Sequence, residues 1–266
     1  MRSTRWCWMG LLAAAAVSAV GGAANFQATW PTASGSKTAD YRIYAPPAAD
    51  VPRIRGVVFL YPGSGGDWRF RADDTAWREA ARSLGCAVVG AGSNAGYTSI
   101  TEGEARASLP AILAAAAAAS GRPEILNAPA LFAGFSLGGF VATEMANDVC
   151  ERVVACVPQR GSSAFSSSQP DAARQVPVLF MPGSLDTNPL TSPGVTDTIF
   201  EAWRSGGGRS AYAMDWLTGH DTFVNQGWSL AWVWLAECLA LRYPEGEPSV
   251  EPGSPVALAD IPLESG

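Results

Sequence analysis

The chain has 266 residues, of which 48% are hydrophobic and 16% charged, and its formal net charge is −6. These values are typical of one larger globular domain, and they exclude a chain that is disordered throughout. An acidic chain without a stripe of lysine and arginine is poorly suited to phosphate backbones, so we expect no nucleic-acid partner.

The first 24 residues have the features of an export signal. Arg2 and Arg5 precede an apolar, alanine-rich stretch, and the small residues Gly22 and Ala24 suit cleavage after Ala24. A retained membrane anchor is the alternative interpretation, but the stretch is short and weakly apolar for a bilayer span. We therefore expect a secreted or periplasmic protein with no stable membrane span once the signal is removed.

Beyond the signal, short apolar strands alternate with helices, which predicts an α/β fold with a mostly parallel central sheet and helices on both faces. The predicted strands are 40–45, 55–61, 86–90, 131–133, 152–157, 176–181 and 211–216. The predicted helices are 75–84, 103–120, the segment after 136, 196–204 and 223–242. Residues 25–37 are polar and rich in glycine and serine, and no strand is predicted there.

These patterns divide the chain into three parts. Residues 1–24 are the signal peptide and residues 25–243 form a single catalytic domain. Residues 244–266 are rich in proline, glutamate and serine, and we expect them to form a disordered tail.

A nucleophile motif follows the strand predicted at 131–133. Gly134-Phe135-Ser136-Leu137-Gly138 has the spacing G-x-S-x-G between a strand and a helix. A serine at the apex of so tight a turn needs glycines on both sides, because the strand and the helix pass very close to it. An ordinary strand-to-helix turn is the alternative, but the flanking elements favour Ser136 as a nucleophile.

A base and an acid are found at the ends of later strands. His220 is the only histidine of the chain, and it follows the last predicted strand. Asp186 ends the strand 176–181 in a turn, so it is the predicted acid that orients the histidine. Asp215 and Asp221 are weaker candidates, because the first lies within a strand and the second directly follows the histidine. The order Ser, Asp, His is the one expected of α/β-hydrolases.

Two backbone N–H groups are predicted to stabilise a negatively charged oxygen in the transition state. They are the N–H of Leu137, at the start of the helix, and the N–H of Ser64, in a glycine-rich loop after the strand 55–61. This loop lacks the ending of a P-loop and the G-x-G-x-x-G spacing, so we expect no nucleotide cofactor. Trp68 follows the loop and is a candidate wall of the substrate pocket, with core packing as the alternative.

With these motifs, the chain from about 40 to 242 resembles an α/β-hydrolase. It resembles more narrowly the small secreted esterases grouped with polyhydroxybutyrate depolymerases, feruloyl and acetylxylan esterases, and dienelactone hydrolases. The matching segments are Phe59 to Gly66, Gly134 to Gly138, Gly183 to Asp186 and Gly219 to Asp221. The resemblance implies that the site residues are the nucleophile Ser136, the acid Asp186, the base His220 and the oxyanion donors Leu137 and Ser64.

The resemblance has one departure. Pro62 stands where many relatives have a His-Gly pair, and proline has no N–H and restricts its loop. This leaves open which N–H of the loop completes the oxyanion hole.

We therefore expect a serine hydrolase that cleaves carboxylic esters through an acyl-enzyme intermediate. We expect it to use no cofactor and no metal, and to act as a monomer on a small-molecule or polymeric ester. Few residues are available for a cap after the strand 152–157, so the cap domain is expected to be minimal or absent. A peptidase or amidase of the same fold, an acyltransferase and a non-catalytic binding protein remain as alternatives.

The cysteines and tryptophans outside these motifs are interpreted structurally. Four cysteines follow the signal, and in an exported protein they can form two disulfides or stay free and buried: Cys86, Cys150, Cys156 and Cys238. Four late tryptophans are expected in the core rather than on a sugar-binding surface: Trp216, Trp228, Trp232 and Trp234.

Overall fold

The computed structural model describes residues 22–95, 104–163, 171–221, 226–244, 248–251, 253 and 255–260. The strands are β1 (Ala24–Thr32), β2 (Gly35–Tyr44), β3 (Gly56–Tyr61), β4 (Cys86–Ala91), β5 (Ala130–Phe135), β6 (Val153–Gln159), β7 (Val178–Phe180) and β8 (Ser210–Tyr212). The α-helices are α1 (Thr75–Leu84), α2 (Glu104–Ser120), α3 (Leu137–Asp148), α4 (Pro193–Ser205) and α5 (Gln226–Arg242). Residues 1–21, which make up most of the predicted signal, lie outside the described part.

The strands form one eight-stranded sheet in the order β1-β2-β4-β3-β5-β6-β7-β8. The strands from β4 to β8 in this order run parallel, and β1 and β2 join them antiparallel at one edge. Helices α2, α3 and α4 pack on one face of the sheet, and α1 and α5 pack on the other. The predicted mostly parallel sheet with helices on both faces is confirmed.

The winding of the sheet reverses between β3 and β5. Strand β4 lies on one side of β3 and β5 lies on the other, with Tyr61 paired to Gly134. The connections that leave the carboxyl ends of β3 and β5 therefore diverge and open a crevice, where ligands of such sheets bind. The glycine-rich loop after Tyr61 and the turn at Ser136 both leave the sheet at this crevice.

Backbone meets backbone at the turn between β5 and α3. A Cβ atom on Gly134 would lie 1.9 Å from the carbonyl oxygen of Gly138, and one on Gly138 would lie 2.1 Å from that of Tyr61. Real Cβ atoms do not approach other atoms so closely, so both positions require glycine. The steric reason given for the G-x-S-x-G spacing is confirmed at both glycines.

The antiparallel edge of the sheet differs from the prediction for residues 25–37. Strands β1 and β2 form a hairpin that begins at Ala24, and Ala28 and Trp30 bury one side of β1 while its polar residues face outward. An alternation of this kind is a strand signal of period two, but the surrounding glycines and serines obscured it. Cleavage after Ala24 would remove one residue from the start of β1.

The predicted disorder of the tail differs from the structure of its described residues. Asn127 Nδ2 donates hydrogen bonds to the carbonyls of Ser249 (2.6 Å) and Glu251 (2.7 Å). Arg242 Nε donates to the carbonyl of Ala259 at 3.1 Å. These two side chains of the domain are themselves buried, so they fix the tail backbone along the surface despite its composition.

The four described cysteines are free and buried, which settles the alternative between disulfides and thiols in favour of thiols. Burial raises the pKa of the Cys86 and Cys238 thiols to about 12, so neither is a nucleophile near neutral pH. Within the described ranges, no helix combines the length and the apolar character that a bilayer span requires.

We predict that Gly134→Ala destabilises the domain by about 3 kcal/mol or more, because its methyl group has to displace the backbone of α3. The control is Gly194→Ala in the first turn of α4, where an added Cβ meets no atom within 4 Å. That variant is expected to be neutral or to gain up to about 1 kcal/mol. Urea unfolding followed by circular dichroism measures both, and equal stabilities would contradict the steric argument.

Candidate active site

Ser136 occupies the apex of the turn between β5 and α3 in a strained backbone conformation. Its φ is 52° and its ψ is −118°, which a residue with a Cβ adopts only when its surroundings enforce it. The Ser136 N–H donates to the carbonyl of Gln159 at 2.9 Å, and the Ser136 carbonyl accepts from Gly139 at 2.9 Å. These bonds connect the turn to β6 on one side and to α3 on the other.

His220 connects the predicted nucleophile to the predicted acid. Its Nε2 lies 3.0 Å from Ser136 Oγ, and its Nδ1 lies 2.9 Å from Asp186 Oδ2. The imidazole also packs against the ring of Phe135, with the ring centroids 5.4 Å apart. The structure therefore brings the three residues into one hydrogen-bonded chain, although they come from three loops far apart in sequence.

Asp186 is held rigidly in the connection between β7 and α4. It is only 3% exposed, and its Oδ1 accepts the backbone N–H of Asn188 at 2.9 Å. Its own N–H donates to the carbonyl of Gly183 at 3.0 Å, which closes the turn that the sequence placed after β7. With Oδ1 occupied by the backbone, Oδ2 is left to face the imidazole.

Thr191 is part of the same cluster and was not identified from the sequence. Its hydroxyl donates to Asp186 Oδ2 at 2.8 Å and lies 2.9 Å from His220 Nδ1, and the residue is buried. Thr191 Oγ1, Asp186 Oδ2 and His220 Nδ1 form a near-equilateral triangle, so the hydroxyl fixes the carboxylate oxygen that faces the imidazole. A threonine five residues after the acid carries no motif of its own, so only the folded loop shows this contact.

Asp215, the weaker candidate for the acid, has a different partner. Its Oδ2 lies 2.5 Å from Arg160 Nη2, and Arg160 Nη1 donates to the backbone carbonyl of His220 at 3.2 Å. Arg160 is buried, has a φ of 50°, and lies over the ring of Phe135. This ion pair neutralises two buried charges and supports the histidine loop from below, so it contacts the histidine backbone rather than the imidazole.

The glycine-rich loop closes the other side of the crevice. The Gly66 N–H donates to the carbonyl of Gly63 at 3.0 Å, and Gly65 has a φ of 68°, which makes Ser64 and Gly65 the central residues of a turn. A Cβ on Gly63 would lie 3.3 Å from the Cβ of Ser136, so the loop passes directly beside Ser136. Among the hydrogen bonds of the described residues, none uses the N–H of Ser64 or of Leu137.

The predicted pocket wall Trp68 is a core residue. It is 6% exposed and packs on Phe135 and edge-to-face on Trp228, with ring centroids 6.4 and 5.4 Å apart. The backbone of Trp68 follows the loop and lies against Gly90 of β4, and its ring points into the core. Trp68 therefore supports the site from the core instead of lining it.

Three of the four late tryptophans lie in or against the core, and one is exposed. Trp228 is buried, and Trp232 and Trp234 are partly buried against the same core, as expected. Trp216 is 74% exposed, so its assignment to the core is wrong. It lies at the tip of a turn after β8 rather than within a strand, because β8 ends at Tyr212.

Two further predictions concern a cap and a metal. Only residues 160–177 separate β6 from β7, which leaves no room for a cap domain in this connection, and residues 164–170 lie outside the described residues. Across the described ranges, no group of three or more histidine, cysteine, aspartate and glutamate side chains is placed to hold a metal ion.

Comparison with known proteins finds similarity in structure but not in sequence. No protein-family model matches the chain, and no curated protein matches it. A dienelactone hydrolase-like promiscuous phosphotriesterase from metagenomic libraries is 18% identical, with 82% of this chain and 99% of that chain covered and a TM-score of 0.56. Dipeptidyl peptidase 4 of Porphyromonas gingivalis is 15% identical, with 80% and 35% covered and a TM-score of 0.54. A thermostable esterase is 14% identical, with 80% and 60% covered and a TM-score of 0.50.

This chain thus spans about a third of the peptidase and 60% of the thermostable esterase. At such identities a likeness shows the fold and leaves the reaction to be argued from the site. The sheet order, the strained serine turn and these structural neighbours together show that the chain has the α/β-hydrolase fold.

Proposed function

We propose that this protein is a serine hydrolase that cleaves carboxylic esters through a covalent acyl-enzyme. The observation that carries the proposal is the hydrogen-bonded chain from Ser136 Oγ through His220 to Asp186 Oδ2, at the switch point of the sheet. A serine hydroxyl is a weak nucleophile until a base takes its proton, and an imidazole at 3.0 Å is placed to do so.

In the first half of the reaction, His220 Nε2 takes the proton of Ser136 as Oγ forms a bond to the ester carbonyl carbon. The carbonyl oxygen becomes negatively charged, and the N–H groups of Leu137 and Ser64 stabilise that charge. The bond to the leaving oxygen then breaks, and Nε2 returns the proton to the departing alcohol. The ester has become an alcohol and an acyl group on Ser136.

In the second half, water replaces the alcohol. His220 Nε2 takes a proton from the water as its oxygen attacks the acyl carbon, and the proton then passes to Ser136 Oγ as the acid leaves. Throughout, Asp186 accepts the hydrogen bond of Nδ1–H, which fixes the tautomer that leaves Nε2 free to accept a proton. Thr191 holds Asp186 in the orientation that this requires.

Two lines of support favour an ester over an amide. Two of the compared structures bear names that refer to ester hydrolysis, a thermostable esterase and a promiscuous phosphotriesterase. The named peptidase is a far longer protein, and only 35% of its chain lies in the region aligned with this protein. Turnover of matched ester and anilide substrates separates the two reactions.

We further propose that the domain acts as a monomer outside the cytoplasm after removal of residues 1–24.

We predict that a fluorophosphonate probe labels the protein at Ser136, that Ser136→Ala abolishes labelling, and that Asp186→Asn and His220→Ala slow it by about 10³-fold or more. The control is Asp221→Asn, which removes an exposed carboxylate directly after the histidine and is expected to keep the labelling rate. Labelling of Ser136→Ala at the rate of the unchanged protein would mean that another residue is the nucleophile.

We predict that Ser64→Pro lowers kcat for p-nitrophenyl acetate by about 10²-fold or more, because it removes one donor to the oxyanion. Proline is tolerated at the first central position of a turn whose second residue has positive φ, so the loop is expected to keep its shape. Ser64→Ala, which retains the N–H and loses only the hydroxyl, is expected to keep kcat within about two-fold. A similar loss in both variants would assign the effect to the side chain.

We predict that Thr191→Val lowers kcat about ten-fold with little change in KM, because the buried carboxylate loses a donor and its orientation toward His220. Thr191→Ser keeps the hydroxyl and is expected to restore most of kcat. Steady-state kinetics beside thermal melting test this, and a loss in both variants that follows their melting temperatures would reduce Thr191 to a packing role.

A further inference from the structure

Four large apolar side chains project into solvent around the acid and the base. Leu217 is 80% exposed, Trp216 74%, Leu190 66% and Leu185 58%, and the first three are the most exposed large apolar residues in the described part of the chain. We call these four residues the apolar rim. Leu185 directly precedes Asp186, Leu190 directly precedes Thr191, and Trp216 and Leu217 come shortly before His220.

The rim is built against the ordinary preferences of a turn. Trp216 and Leu217 form the tip of the turn, where polar residues or glycine are usual, and Leu217 has a φ of 59°. Leucine disfavours this left-handed conformation, in which glycine or asparagine is far more common. Burial does not compensate for the strain, since the side chain is exposed. A residue that costs stability and gains no packing is expected at a functional site.

Hydrogen bonds join the two parts of the rim into one surface. The Leu185 N–H donates to the carbonyl of Thr218 at 2.9 Å, and the Leu217 N–H donates to Ser184 Oγ at 2.8 Å. The hydroxyl of Thr218, which is buried, donates to the carbonyl of Asp215 at 2.7 Å and closes the turn from inside. The strained turn is therefore rigid, and the same two loops position the acid and the base.

The charges of these loops face inward. Asp186 is buried against His220 and Thr191, and Asp215 is paired with the buried Arg160. Residues 184–191 and 215–220 hold no other charged side chain apart from His220 itself. Asp221, which directly follows His220, is an exposed carboxylate, but the exposed surface of residues 184–191 and 215–220 is uncharged and largely apolar, which favours an uncharged, apolar ligand.

Exposure alone does not distinguish the rim, because helix α5 also exposes Leu230, Val233 and Leu241. Those residues lie in a regular helix, and scattered exposed apolar residues are normal on protein surfaces. The rim differs by its strained backbone and by its continuity with the hydrogen-bonded chain of Ser136 and His220.

We propose that the apolar rim is the surface by which this protein binds a water-insoluble ester, in the form of an assembled apolar surface such as a particle or film. This deepens, and rests on, the ester hydrolysis proposed above. Side chains exposed by more than half at the tips of turns project outward, which suits contact with a broad surface. A single dissolved acyl chain is instead enclosed by partly buried side chains in a cleft. Binding through the rim holds ester bonds of the particle at Ser136.

The test uses poly(ε-caprolactone) particles and two measurements on the mature protein. The first is the fraction of protein that sediments with the particles, and the second is the ratio of acid release from particles to hydrolysis of dissolved p-nitrophenyl acetate. The variant is the double substitution Trp216→Ala and Leu217→Asn, and the control is Leu241→Gln on α5, an exposed leucine outside the rim. Fluorophosphonate labelling of each protein runs in parallel.

The double variant is expected to lose about ten-fold or more in particle affinity and in the activity ratio, because an exposed tryptophan and leucine no longer gain burial. Leu241→Gln is expected to match the unchanged protein in both. Leu217→Asn alone is expected to raise the melting temperature by about 1–3 °C, since asparagine tolerates the left-handed conformation. Leu217→Asn alone is also expected to bind the particles more weakly than the unchanged protein, and a loss of binding in a protein of higher stability cannot come from a folding defect.

Equal sedimentation of the double variant and Leu241→Gln would overturn the role of the rim. So would a failure of all three proteins, the unchanged one included, to sediment with the particles. Sedimentation is measured without turnover, so it tests the surface even when the particles are not hydrolysed. Absence of fluorophosphonate labelling on Ser136, in contrast, would overturn the proposed function itself. The two failures are therefore distinguishable.

Discussion

The contact on which the site depends is the backbone crossing between β5, α3 and β3. Gly134 lies against the carbonyl of Gly138, and Gly138 lies against the carbonyl of Tyr61, so β5, α3 and the end of β3 meet at distances that no side chain allows. The close crossing forces Ser136 into its strained conformation and brings Gly63 beside it. Ser136 and the glycine-rich loop after β3 are therefore positioned by one steric constraint rather than by separate contacts.

The opposite side of the site is positioned by polar contacts instead. His220 comes from a loop without regular structure and is held by three side chains. Asp186 and Thr191 contact its imidazole, and the buried guanidinium of Arg160 donates to its backbone carbonyl. Each of these partners is buried, so losing one leaves a polar group without compensation. Steric exclusion thus defines one half of the crevice, and satisfied buried hydrogen bonds define the other.

The parts of the site that rest on local sequence patterns could be predicted from the sequence. The glycine spacing around Ser136 and the single histidine after the last strand predicted side chains that the structure places within hydrogen-bond distance. Contacts made only by the folded chain could not be predicted. Thr191 lies in no motif, and the ring of Trp68 packs inward on Phe135 and Trp228, which come from other elements. Trp216 has the composition of a core residue, and only the early end of β8 exposes it.

The described part of the tail has a consequence for where the domain ends. The amide of Asn127 and the guanidinium of Arg242 are buried, and each donates to backbone carbonyls between residues 249 and 259. A protein that stopped at residue 244 would exchange these three hydrogen bonds for hydrogen bonds to water, at a net cost of about 0.5–1.5 kcal/mol for each. The described tail residues 248–251 and 255–260 therefore form an outer layer of the fold, and a protease that removed them would uncover the side chains of Asn127 and Arg242.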